Sequence, residues 1–156
     1  MFIILVGPDG AGKTTLAKKL AHYLNLQYIK RDKPENDDDK INMFESYMKV
    51  ATTRDNVIYD RYLYCEKVYG PVMRDENIVT WSQIYAVEAE LIKKGAIIIH
   101  CTDTTDALWA RCNDRGEDYV TSHAQLDKIR RGYHKVLQHS TLPVLEYYIG
   151  QSLFGE

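Results

Sequence analysis

One short stretch limits what this chain can fold into: ILVGPDGAGKTT, from Ile4 to Thr15. Gly7, Gly12, Lys13 and Thr14 satisfy G-x-x-x-x-G-K-[ST], with an apolar run before the loop and a helical pattern after it. Glycines let a backbone turn tightly with its N–H groups inward, and a helix start adds partial positive charge. The segment therefore reads as a phosphate cradle over Gly10, Ala11, Gly12, Lys13, Thr14 and Thr15. Lys13 would carry a full charge to the β and γ oxygens of a nucleotide, and Thr14 would place its hydroxyl on Mg²⁺. A strand must feed such a loop and a helix must leave it, so an alternating α/β architecture follows.

The rest of the chain keeps that alternation. Short apolar runs predict strands at Phe2 to Val6, Leu26 to Lys30, Val57 to Asp60, Ala96 to Cys101 and Pro143 to Tyr148. Leu16, Leu20 and Leu24 predict one apolar helix face, and Trp81, Ile84, Tyr85, Leu91 and Ile92 a second. Leu126, Ile129, Tyr133, Val136 and Leu137 predict a third, opened by a capping box from Ser122 to Gln125. The acidic run at Asn36 to Lys40 reads as a solvated turn before a helix from Ile41 to Thr53. The fold expected is a three-layer sandwich around a central five-stranded parallel sheet, one domain over residues 1–156, with a short lid at about 111–121.

Composition narrows the partners. A formal charge of -2 gives no overall pull toward a nucleic acid polymer or a membrane surface, so anionic ligands must be held locally. Cys65, Cys101 and Cys112 form no close pair and no metal spacing, and they read as core or surface thiols of a reducing compartment. The run Phe2 to Val6 is too short for a membrane span and lacks a basic flank, so a cytoplasmic location is expected.

Two further elements point to chemistry. Asp60 closes a strand at its C-terminal end, where ligands sit in open α/β sheets. Its carboxylate suits a metal's water shell or proton transfer, and Arg61 beside it suits a second anion. Arg111 and Arg115 are four residues apart on a helix that ends at Gly116, where a closing segment would carry an arginine over a transferring phosphoryl group. Two cation sites suit transfer between two bound substrates better than hydrolysis, and the Asn-Lys-x-Asp guanine reader of a switch protein is absent. A kinase is the class these residues favour.

GPDGAGKTT resembles the P-loop of the thymidylate kinase family, and more widely of P-loop deoxynucleoside and nucleoside monophosphate kinases. By that resemblance Asp9 approaches the 3'-hydroxyl of the acceptor sugar. KRDKP resembles the family's Arg-Glu-Pro segment and implies Arg31 near the acceptor phosphate. DRYLYCEKVYG resembles the Asp-Arg-Tyr segment followed by Ala-Tyr-Gln, which implies substrate contacts for Arg61, Tyr62 and Tyr69, with Gly70 where the family has glutamine. RGEDY resembles lids whose catalytic arginine comes from the lid, in keeping with the missing side chain at Gly10. The resemblance implies ATP as donor, Mg²⁺ held by Thr14 and Asp60, a thymidylate-like acceptor, and a homodimer through the helix containing Trp81. Catalytic work falls to Lys13, Asp60, Arg111 and Arg115. A deoxynucleoside kinase in which Asp60 deprotonates the 5'-hydroxyl is the alternative reading, and a non-catalytic nucleotide-binding module is the second.

Overall fold

The computed structural model describes residues 1–115 and 119–149, apart from the side chain of Arg115. Five strands, β1 (Phe2–Val6), β2 (Gln27–Lys30), β3 (Val57–Asp60), β4 (Ile97–Thr102) and β5 (Val144–Tyr148), form one parallel sheet in the order β2-β3-β1-β4-β5. Between them run α1 (Lys13–Leu24), α2 (Asp37–Ile41), α3 (Met43–Thr53), α4 (Leu63–Tyr69), α5 (Trp81–Lys93), α6 (Thr105–Arg115) and α7 (His123–Leu137). This is the α/β fold expected, a five-stranded parallel sheet with helices.

Burial decides the strand order. Every residue of β1 is at most 2% exposed, because all five are apolar on both faces. At roughly 1.5–3 kcal/mol for each large apolar side chain removed from water, this strand alone gains on the order of 10 kcal/mol before entropy. Only the centre of the sheet offers that much cover. The edge strands carry the mixed pattern an edge tolerates, with Gln27 and Lys30 exposed on β2 and Leu145 and Glu146 exposed on β5.

β2 and β3 lie on one side of β1 and β4 and β5 on the other, so the winding reverses at β1. The loop after β1 and the residues ending β3 consequently meet at one end of the sheet, the place where such folds bind ligands. In the register Leu5 lies beside Asp60, which fixes the height of the two loops relative to each other.

The helices correct four expectations. The acidic run does not form a turn: Asp37–Ile41 is a short helix whose cap, Asn36, accepts from the Asp39 N–H at 2.9 Å. Three aspartates in a first turn are favoured by the helix dipole, a role that a solvated turn does not give them. The α5 stripe is narrower than predicted, since Ile84 and Leu91 are buried while Tyr85 and Ile92 are 41% and 53% exposed. On α1 the core face reaches Leu16 and Ala17, and Leu24 is 42% exposed. By contrast, all five predicted α7 residues are buried, and so are all three cysteines, with no disulfide among the described residues. At the start of α7 only half of the predicted box forms, because Ser122 accepts from Gln125 N–H while the Gln125 side chain turns to Thr121.

Candidate functional site

The loop after β1 is shaped by its glycines. Gly7, Gly10 and Gly12 have φ of +152°, +81° and +71°, which other residues adopt only with strain. A Cβ on Gly7 would lie 2.0 Å from the Cys101 carbonyl oxygen, and one on Gly10 would lie 2.7 Å from the Leu108 carbonyl oxygen. The loop is thus wedged between β4 and α6. Helix α1 begins at Lys13 with Gly12 as its cap, and no side chain bonds the first turn. Its opening N–H groups are left to a ligand. Lys13 Nζ donates to the carbonyls of Gly7 (2.7 Å) and Pro8 (3.2 Å), which holds the ammonium over the loop.

Asp60 comes to this loop from β3. It is 1% exposed, and its Oδ2 accepts from Thr14 Oγ1 at 2.6 Å and from Tyr28 OH at 2.8 Å. Burial first, and then Asp60, push the Tyr28 phenol up to about 12, so it stays a donor at neutral pH. Arg61 follows in the left-handed region at φ 79°, with its N–H on the Leu5 carbonyl at 3.0 Å. A non-glycine residue held there costs about 1–3 kcal/mol, strain of the kind that collects at working sites.

Beneath Arg61 lies Tyr69. The Arg61 guanidinium carbon is 5.1 Å from its ring centroid. The phenol oxygen accepts from Asp9 N–H at 3.1 Å and donates to Asp9 Oδ1 at 2.9 Å, so both backbone and carboxylate of Asp9 are fixed. Tyr69 in turn stacks on Tyr119 at 5.9 Å.

Two cavities share this corner. One of about 130 Å³ follows the phosphate loop and includes Lys13, Thr14 and Asp60. The other, of about 300 Å³, is lined by Asp32, Lys33, Glu35 and Tyr119. Asp9, Lys30 and Arg61 line both.

Several predicted site residues sit elsewhere. The Arg31 side chain donates to Ser46 Oγ at 2.7 Å and lies 4.2 Å over the Tyr47 ring, in a neighbouring cavity of about 400 Å³. Tyr62 belongs to the core: it is 1% exposed, packs among Phe2, Tyr47 and Tyr59, and donates to the Tyr47 carbonyl. The left-handed turn at Arg61 ends the strand's alternation, and Tyr62 falls on the core side. Tyr69 is equally buried and meets the cleft through Asp9, Arg61 and Tyr119. Arg111 lies against the Gly10 turn, with its guanidinium paired to Asp103 at 3.1 Å. Arg115 ends α6, and its side chain lies outside the described residues, as do Gly116 and the two residues after it. Within the cradle, Ala11 is buried and Thr15 is exposed.

Sequence reasoning missed Lys30, Asp32, Lys33, Glu35 and Tyr119, which complete the second cavity. Lys30 ends β2 and the next three follow it, at the same sheet end as Asp60, a signal the strand assignment already contained. It also missed Arg74, whose guanidinium bonds Glu66 and Tyr119. Gly70 makes room for that arrangement, because a Cβ there would lie 2.7 Å from Glu66 Oε1 and 2.9 Å from the Glu76 carbonyl.

Comparison with known proteins agrees with this geometry. A family model described as "ATPase family associated with various cellular activities (AAA)" matches residues 3–59, the span from β1 to β3. Thymidylate kinase of Clostridium novyi is 40% identical over 62 residues, 38% of this chain and 28% of that enzyme. A deoxyadenosine kinase from M. mycoides, with products dCMP and dCDP bound, superposes with a TM-score of 0.64 at 19% identity, covering 94% of this chain and 89% of that one. The SPbeta prophage-derived uncharacterized protein YorR of Bacillus subtilis is 32% identical over 152 residues, covering 96% of this chain and 89% of YorR. The crystal structure of YorR in complex with phosphorylated GDP superposes with a TM-score of 0.83 at 29% identity, covering 97% of this chain and 87% of that one. With the phosphate loop, the sheet order and nearly the full length in common, this chain belongs to the family of YorR and has a P-loop kinase fold.

Proposed function

We propose that this chain transfers the terminal phosphoryl group of ATP to a deoxynucleoside monophosphate. The observation that carries the reading is the shared corner: Asp9, Lys30 and Arg61 line both the phosphate-loop cavity and the adjoining 300 Å³ cavity. Two anions brought together there need cations on both sides of the junction. Lys13 serves the donor, while Arg61 and Lys30 serve the acceptor's phosphate. The YorR crystal, which holds phosphorylated GDP, supports a nucleotide in this cleft.

The residues present fit Mg²⁺ with a nucleotide. A hydroxyl and a carboxylate, both hard oxygen ligands, face each other at Thr14 and Asp60, 2.6 Å apart. When bound, the ion offsets charge on the β and γ oxygens. Asp9, fixed by Tyr69, offers a carboxylate to a sugar hydroxyl, and the Tyr119 ring, stacked on Tyr69, offers an aromatic face to a base. A monophosphate acceptor is already a nucleophile at neutral pH, so no strong base is required. On the resemblance of the phosphate loop and the Asp-Arg-Tyr segment, thymidylate or a 5-substituted deoxyuridylate is the preferred acceptor.

One observation favours a second reading. Arg31 is turned away from the cleft, while Asp32 lines the acceptor cavity beside Arg61. A carboxylate there suits removal of a proton from a 5'-hydroxyl, the chemistry of a deoxynucleoside kinase. The test is ADP formation from ATP and Mg²⁺ with a panel of deoxynucleosides and their monophosphates, repeated for Arg61→Ala and Asp32→Asn. Under the leading reading only monophosphates stimulate turnover. Arg61→Ala raises the acceptor KM by about 10- to 100-fold, and Asp32→Asn leaves kcat within a few-fold. Turnover with nucleosides, together with a loss of about 100-fold or more in kcat for Asp32→Asn, would move the assignment to the second.

A further inference from the structure

Behind the phosphate cleft, three potential metal ligands converge from three elements. His100 on β4 and Glu146 on β5 are register partners in the sheet, and His100 Nδ1 lies 3.0 Å from Glu146 Oε1. The ring of His134, from α7, stands edge-on to His100 with centroids 5.0 Å apart. One ligand atom from each of the three lies within 4.8 Å of the other two, a grouping that occurs once among the described residues. Neither the phosphate loop nor the acceptor cavity uses any of these side chains.

We propose that His100, His134 and Glu146 bind one divalent transition-metal ion of the Zn²⁺ class, which clips α7 to the two strands β4 and β5. Two imidazoles and a carboxylate are a ligand set that Zn²⁺ accepts and Mg²⁺ does not prefer. The spacing fits as well. Ligands at about 2.0–2.1 Å from a tetrahedral ion stand roughly 3.3 Å apart, close to the 3.0 Å between His100 Nδ1 and Glu146 Oε1. His134 is half-buried and Glu146 is 45% exposed, so both can turn to close the remaining distance.

Burial is graded across the site. His100 is fully buried and forms the fixed inner ligand, while Glu146 opens to solvent and gives the ion a way in. Alternatively the pair is a plain histidine–carboxylate hydrogen bond that positions β5. In that case His134 is a bystander and no ion binds with useful affinity.

The test uses the full chain, stripped with a chelator and free of nucleotide. Zn²⁺ is titrated calorimetrically and Co²⁺ by visible absorption, against wild type, His134→Ala and Glu146→Gln. The expected result is one Zn²⁺ per chain, a Co²⁺ spectrum of low coordination number, and a binding constant weakened by about 100-fold or more in each variant. At 100 times Kd, Zn²⁺ should raise Tm of the wild type by roughly 5–10 °C, and of neither variant. Both variants alter partly exposed side chains, so Tm without metal reports directly whether they fold. Failure of the wild type to bind, an ion whose affinity both variants leave unchanged, or equal stabilisation by Mg²⁺ would each overturn the proposal.

Discussion

Two carboxylates in this molecule, Asp60 and Glu88, are equally hidden, each 1% exposed, yet their surroundings are opposite in kind. Glu88 on α5 is closed on every side. Its Oε2 accepts from Tyr64 OH at 2.5 Å and from the Ser140 hydroxyl, and its Oε1 accepts from Thr141 N–H at 3.0 Å and Thr141 Oγ1 at 2.7 Å. Four donors from α4 and from the turn before β5 thus replace the water that a buried carboxylate gives up. Asp60 has two donors, Thr14 and Tyr28, both on Oδ2, and its other oxygen accepts no hydrogen bond among the described residues. The Asp60 side chain lines the phosphate-loop cavity. A carboxylate with its capacity filled is scaffolding; one with capacity left beside a cation-lined cavity is available for work.

That difference gives the largest predicted effect. Asp60→Asn keeps an oxygen that can accept from Thr14 and Tyr28 but removes the charge, so folding should be nearly unchanged while kcat falls by about 100- to 1000-fold. Thermal unfolding and steady-state ADP release measure the two halves separately. A kcat within a few-fold of wild type would make Asp60 a second Glu88, a structural group that happens to border the cleft.

Glu88→Gln should do the reverse. The amide removes the charge that strengthens all four bonds in a buried site, and sets its NH2 against donors of which only the hydroxyls can turn to accept. Stability should fall by about 2–4 kcal/mol, with turnover per folded molecule unchanged. Denaturant titration reads the first and active-site-normalised rates the second. Loss of activity without loss of stability would show that α5 communicates with the cleft through Tyr64 and α4.

The contrast also explains what the sequence disclosed. All five strands lie within one residue of their predicted ends, because apolar runs of that length have few alternatives in a chain with this phosphate loop. Asp60 was legible for the same reason, since the end of β3 follows from Val57 to Tyr59 and the ligand end of the sheet follows from the topology. Glu88 was not. In VEAEL it reads like any helical glutamate, and its four partners come from sequence positions 24, 52 and 53 residues away. The directions in which the Tyr69 and Arg31 side chains turn were hidden on related grounds. Local pattern puts a residue near a site, but which way its side chain turns depends on groups such as Asp9 and Ser46 that reach it only in the fold. Tyr119 lies within the predicted lid segment, and nothing in its neighbourhood shows that it stacks on a tyrosine fifty residues earlier.

The smallest effect separates the two donors on Asp60. Thr14 belongs to the phosphate loop and is expected to change partners when a metal and nucleotide arrive, whereas Tyr28 on β2 has no such second duty. Tyr28→Phe should therefore act as a loss of scaffolding alone, costing about 0.5–1.5 kcal/mol of stability and no more than a few-fold in kcat. Its pH dependence has a definite sign. The folded-state pKa of this phenol is raised to about 12, so the stabilisation is fully present below the unfolded value near 10 and is lost as pH rises through about 12. The stability difference between wild type and Tyr28→Phe should accordingly be flat from pH 7 to about 9 and shrink above about 10. If Tyr28→Phe instead lowers kcat as far as Asp60→Asn does, the two hydroxyls hold Asp60 as one unit. The half-filled carboxylate would then depend on its scaffold as closely as Glu88 does.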